Sequence, residues 1–156
     1  MENNYKIPEF ILASKNIRFL NFIIDLAFLN ILKAFVYLVS AFIPLNNNSL
    51  LYWFTSFDMI ENVVFFKVLM FLYYSLFEII TSRTLAKYLT KTIVVMEDGS
   101  KPEPINIFGR SLLRLIPIEY FTFLRGRKLG MHDDYSNTFV VTKKKLEENK
   151  KEFNEI

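Results

Sequence analysis

The sequence predicts an all-α integral membrane protein: a two-span helical hairpin, a cytoplasmic-face interfacial or re-entrant helix, and a short two-stranded β ribbon. Three observations predict it. Two apolar runs each exceed the roughly 20 residues that cross a hydrocarbon core. The Lys and Arg residues lie outside the segment that joins those runs, the asymmetry that orients helices in a bilayer. Hydrophobic residues make up 52% of the 156-residue chain and charged residues only 22%, which excludes a disordered chain or a flexible linker.

The elements follow in order. Residues 1–14 form a polar cytoplasmic segment, and residues 15–142 a membrane domain. The first span covers about 17–43 and the second about 57–81. Neither shows the polar face at 3.6-residue spacing that a soluble helix carries. The first run is too long for a signal-peptide core, contains Asp25 and Lys33, and reads as an uncleaved anchor. Lys6, Lys15 and Arg18 precede it, and Arg83, Lys87, Lys91 and Lys101 follow the second run. Both termini are therefore expected in the cytoplasm, with Tyr52, Trp53 and Phe54 anchoring the outer edge.

A third apolar stretch, about 105–124, carries Arg110, Arg114, Pro117 and Glu119. A full crossing would put the basic tail outside, against the positive-inside pattern. A helix in the interface, or one that dips in and returns, fits better. Thr92–Met96 and Thr138–Val141 are β-branched and should pair with each other. Such a ribbon is marginal alone, so it should rest on the 105–124 helix or on the membrane face. Residues 143–156 read as a solvated helix or a frayed tail.

The absence of cysteine excludes a thiolate metal site and a Cys nucleophile, and one His, His132, makes a His-built zinc site within the chain a poor fit. No metal and no cofactor are expected. The tail's bases alternate with Glu147, Glu148 and Glu152, away from the aromatic residues, which argues against nucleic acid. His132 beside Asp133 could form a general-base pair, but no nucleophile accompanies it, so no enzymatic activity is expected.

Charges inside a span are costly and face protein, water or one another. Arg18, Asn21 and Asp25 share one side of the first helix, and Glu78 lies near the cytoplasmic end of the second. On antiparallel spans an Arg18–Glu78 pair is expected. Lys33 could meet Lys67 or Glu78 only if the geometry allowed. Asp25 and Glu78 are candidate ion or proton sites. Equally, such charges could serve only to fix helix pairing and register.

Ile17-Arg18-Phe19 with Asp25, Ser82-Arg83-Thr84-Leu85-Ala86-Lys87 followed by Ile93-Val94-Val95 and Asp98-Gly99, Arg110-Ser111-Leu112-Leu113-Arg114, and His132-Asp133 before Thr138-Phe139-Val140-Val141 occur in that order. The set resembles the RDD family of membrane domains, named for one Arg and two Asp. The resemblance implies that Arg18, Asp25 and Asp133 are the signature residues. It implies a membrane domain suspected of transporting an unidentified ligand, and no catalytic residues. This sequence departs from the family at three glycine positions, which hold Ser82, Ala86 and Lys91. Asp133 is expected either to cap a turn or to fold back onto Arg18, Lys87 or Arg110. Arg83, Lys87, Arg110, Arg114 and His132 are expected to support the signature charges or to touch anionic lipid.

Two functions follow. One is cation or proton exchange through Asp25, which needs a homo-oligomer or a larger membrane partner because two spans cannot enclose a pathway. The other is a structural or regulatory membrane subunit that docks a partner and transports nothing. The expected location is a bacterial cytoplasmic (inner) membrane. The 4 Gly and the many Asn, Lys, Ile and Phe residues fit an AT-rich bacterial genome.

Overall fold

The computed structural model describes residues 5–45, 48–116, 133 and 135–155. A 3-10 turn at Glu9–Ile11 leads into α1, Lys15–Ser40. The Ser14 side chain accepts from the Ile17 N–H and caps α1. The hairpin loop holds a two-residue strand pair, β1 (Pro44–Leu45) and β2 (Asn48–Ser49), then α2, Leu50–Thr55. Next comes α3, Met59–Thr81, started by a capping box in which Asp58 and Glu61 satisfy each other's backbone N–H. Short α4 (Leu85–Leu89), β3 (Thr92–Met96) and α5 (Pro104–Leu113) follow. The chain ends with β4 (Thr138–Thr142) and α6 (Lys143–Asn154).

Helices α1 and α3 are both long and apolar enough to cross a membrane. Their packing is inverted relative to a soluble protein. On α1 the buried side chains are Arg18, Asn21, Asp25, Leu29 and Ser40. Its exposed ones include Ile31, Phe35 and Leu38, each about 60% accessible or more. Lipid offers no hydrophobic drive between helices, so polar contacts and close packing must join them. Leu29, Met70, Tyr73 and Tyr74 form the apolar part of that contact. Tyr37 donates to Asn62 at 2.8 Å nearer the loop, within a cluster of rings from Phe54, Phe57 and Phe65.

β3 and β4 pair antiparallel with Thr92 opposite Thr142 and Met96 opposite Thr138, the pairing expected from their β-branched sequences. The support beneath them differs from the expectation. One face packs on Tyr5, Ile11 and Leu146, so the N-terminal segment and α6 cover the ribbon. Leu12 bridges to Val141, and the Ala13 N–H donates to the Val140 carbonyl at 2.8 Å. The residue 105–124 stretch reaches the ribbon where Arg110 donates to Thr138 at 2.7 Å and Asn106 donates to Met96 Sδ at 3.3 Å. The physical reason is that Tyr5, Ile7, Ile11 and Leu12 give the otherwise polar N-terminal segment its own apolar edge. The tail is an ordered helix. Lys150 donates to the Gly99 carbonyl at 2.8 Å, Tyr5 donates to Asn149 at 2.9 Å, and Leu146 is buried.

Helix α5 runs beside α3. Lys101 donates to the Ile80 carbonyl, Phe108 stacks on Phe71, and Lys67 donates to the Leu115 carbonyl at 3.0 Å. From Ile80 to Lys67 is about 20 Å along a helix axis. By Asp133 the chain is back beside Arg18, and β4 pairs next to the exit of α3. The tail therefore lies at the end of the hairpin where α1 begins. Residues 117–124 of the expected helix fall outside the described residues.

Ser82 and Lys91 adopt φ of 57° and 55°. Both stand at positions where the resemblance placed glycine, and a left-handed backbone is where a Cβ is disfavoured. Ser82→Gly and Lys91→Gly should each stabilise the fold by about 1 kcal/mol, seen as a raised thermal midpoint in detergent. Ala86, at the third position, is fully buried instead.

Candidate functional site

The buried charges gather where α1 begins and α3 ends. Arg18 is positioned by the first turn of α1. Its Nε donates to the Ala13 carbonyl at 3.1 Å, and its Nη1 donates to Asp133 Oδ2 at 2.6 Å. The other oxygen of Asp133 accepts from Arg110 of α5. Arg110 Nε lies 3.2 Å from Glu78 Oε2, an ion pair whose geometry is not aligned as a hydrogen bond. Glu78 Oε1 accepts from Lys87 of α4 and, at 3.0 Å, from Arg114. Arg114 also lies 4.1 Å over the Tyr74 ring. Cations and carboxylates thus alternate from Arg18 through Asp133, Arg110 and Glu78 to Lys87 and Arg114. All six side chains are buried, none more than 8% accessible.

Such a chain ties α1, α3, α4, α5 and the residue before β4 together. Taking these charges out of water is costly. The arrangement holds because each carboxylate meets at least two cations. Burial pushes the Lys87 ammonium down to about 8; Glu78 opposes that shift, and Arg114 and Arg110 add to it. For Arg114, burial is the largest influence and works against the charge, but Glu78, Tyr74 and Asp133 together outweigh it and raise the pKa. The folded Lys87 pKa lies below the ordinary 10.5. Between about pH 8 and 10.5 the unfolded chain therefore binds more protons, and the stability contributed by this group rises with pH. Thermal midpoints should accordingly shift in favour of wild type over Lys87→Met as pH is raised through that window.

Asp25 has different surroundings. Its Oδ1 accepts from the Tyr73 hydroxyl at 2.7 Å and the Ala86 N–H at 3.1 Å, and its Oδ2 accepts from the Thr84 hydroxyl at 2.7 Å. Tyr73 Oη in turn accepts from the Leu85 N–H. One turn earlier, Asn21 accepts from Thr90 at 2.7 Å and donates to Thr92 at 3.2 Å. Asn21 and Asp25 therefore grip the two ends of α4. Among the described residues, Asp25 is 2% accessible and has no cation within ion-pair distance.

Arg18, Asp133, Arg110, Glu78, Lys87 and Arg114, each singled out in the sequence, meet in one network. Asp133 folds back onto Arg18 and Arg110. Arg18 meets Asp133 instead of the expected Glu78, because Arg110 of α5 lies between the two acids. Arg83 stands apart, with its guanidinium 5.3 Å over the Tyr88 ring. Lys33 meets Asn62 rather than Lys67 or Glu78. His132 lies outside the described residues. Sequence reasoning missed Tyr73, the bond from Thr84 to Asp25, and the Thr90 and Thr92 partners of Asn21, although it placed Asn21 on the Arg18–Asp25 side of α1. The 48-residue gap between Tyr73 and Asp25 leaves no local trace of their contact. Among the described residues, no group of three His, Cys, Asp or Glu side chains could hold a metal ion.

The RDD family model matches residues 12–137, a stretch that contains Arg18, Asp25 and Asp133. The chain belongs to the RDD family. No curated protein and no solved structure matches it. An RDD chain with two helices of crossing length and an inverted helix face reads as a small membrane protein. In this RDD chain Arg18 and Asp133 are in direct contact, and Asp25 is held separately by hydroxyl and backbone donors.

Proposed function

We propose that this RDD protein is a two-span inner-membrane protein that exchanges a cation for a proton, with Asp25 as the titrating group, working as an oligomer. Asp25 carries the reading, because it is the buried carboxylate whose charge no cation offsets among the described residues. Asp133 and Glu78 are each locked between guanidinium or ammonium groups, so Glu78 acts as a clamp and not as an exchange site. Asp25 is instead held by two hydroxyls that can rotate and by one N–H. A hydroxyl can donate to a carboxylate or accept from a carboxylic acid, so the site can hold either protonation state without breaking apart. Asn21, Thr84, Thr90 and Thr92 extend it with further oxygen donors, the type that hard cations take. The placement of bases supports a reading with both termini in the cytoplasm, and the return of the chain by Asp133 supports α5 as the entering limb of a re-entrant segment. Two spans do not enclose a pathway, so copies or a membrane partner must complete it.

The second reading, a structural or regulatory subunit, has its own support. The bonds to Asp25 also satisfy the first N–H groups of α4, a purely architectural task. Proteoliposomes with an internal pH dye and an imposed Na⁺ or K⁺ gradient separate the two. Wild type should move protons above empty liposomes, and Asp25→Asn, matched for folding and oligomeric state, should not. Flux retained by Asn would remove Asp25 from exchange. No flux in wild type would favour the subunit reading.

A further inference from the structure

A cavity of about 580 Å³ opens between α1 and α3 in the half of the hairpin nearer its loop. Its walls are largely apolar, with Phe22, Leu26, Val63 and Phe66 among them, and Lys33, Lys67 and Arg114 also line it. Lys33 is seven residues from the end of α1, and Lys67 is eight from the start of α3, so each backbone is about 10–12 Å from the loop end. Lys33 Nζ reaches toward the loop to Asn62 Oδ1 at 3.4 Å, and Lys67 Nζ donates to the Leu115 carbonyl at 3.0 Å. Each contact uses one of three ammonium donors. No carboxylate among the described residues lies within ion-pair distance of either lysine. The acids at that end, Asp58 and Glu61, are engaged in the cap of α3.

Two ammonium groups at the edge of the hydrocarbon, over an apolar trough and without a protein anion, complement an anionic head group on an acyl chain. We propose that this groove binds an anionic phospholipid, its phosphate held by Lys33 and Lys67 and an acyl chain laid along Phe22, Leu26 and Phe66. Snorkelling alone would turn both lysines toward the loop. Only Lys33 turns that way, whereas Lys67 is held by the Leu115 carbonyl, and both side chains line the same cavity. The inference rests on membrane insertion but not on exchange at Asp25, and its failure would leave the flux test untouched.

The test is native mass spectrometry of the full-length protein in mild detergent with equimolar phosphatidylglycerol and phosphatidylcholine. Wild type should retain phosphatidylglycerol about tenfold over phosphatidylcholine, the scale of one charge-assisted contact. The Lys33→Gln/Lys67→Gln double variant should fall to parity, and Lys33→Arg/Lys67→Arg should keep the preference. Val63→Trp, which fills the trough without touching a charge, should lose bound lipid of both kinds and decides the matter if the Gln variant does not fold. Parity in wild type, an unchanged preference in the Gln variant, or full occupancy in Val63→Trp would overturn the proposal. Displacement of the lipid by inorganic phosphate would overturn it in favour of a free anion.

Discussion

Replacing Glu78 by Gln should be among the most damaging single changes in the protein. The carboxylate meets Lys87, Arg110 and Arg114, and it is completely buried. A neutral amide in its place removes the carboxylate that Lys87, Arg110 and Arg114 share and leaves Arg110 its ion pair with Asp133. Breaking a buried pair by removing one partner costs about 3–5 kcal/mol, and here one acid serves three partners. The expected result is a collapse of the thermal midpoint in detergent, or no folded protein. A cycle with Lys87→Met keeps the test open. With one of the three cations removed, the same Glu78→Gln change should cost measurably less. An equal cost in both backgrounds would mean that the Lys87 contact contributes nothing.

Asp133→Leu should have an effect of the same size, about 3–5 kcal/mol, because it removes the buried carboxylate paired with Arg18 and one of the two that Arg110 meets. It should also loosen the chain before β4, exposing the ribbon to faster hydrogen exchange. The Arg18→Leu/Asp133→Leu double variant should be less unstable than the two single costs added. Additive costs would rule out a direct contribution from the pair. Because the resemblance makes these residues the signature Arg and second Asp of the RDD family, the cycle measures how far such a signature is a structural lock. Asp25, the remaining signature residue, has no part in the lock, and its substitution should act on flux before stability.

Much of the fold was legible in the sequence. Helices α1 and α3 fall within about three residues of the runs read for them. β3 and β4 pair as their β-branched residues predicted. These features depend on local composition and period, which a sequence displays directly. The N-terminal cover of the ribbon was not legible, because Ile7, Ile11 and Leu12 are too few and too irregularly spaced to mark an element. Nor was the pairing of Arg110 and Arg114 with Glu78, since the sequence marked both only as supports for the signature charges or as lipid contacts.

By itself the sequence determined the hairpin, its length, its bias of positive charge and the identity of the polar residues that would be forced inward. Apolar length and residue type suffice for that, since a carboxylate in a crossing helix must find some partner. Which partner it finds is a different matter. Arg18 and Asp133 are 115 residues apart and meet only because the chain returns after α5 to the start of α1. Asp25 and Glu78 looked alike as intramembrane acids. The tertiary structure alone enclosed one with three cations and left the other to two hydroxyls and a backbone N–H. Helical period fixes the side of a helix on which a charge lies, whereas the packing of other elements against that side fixes what the charge meets.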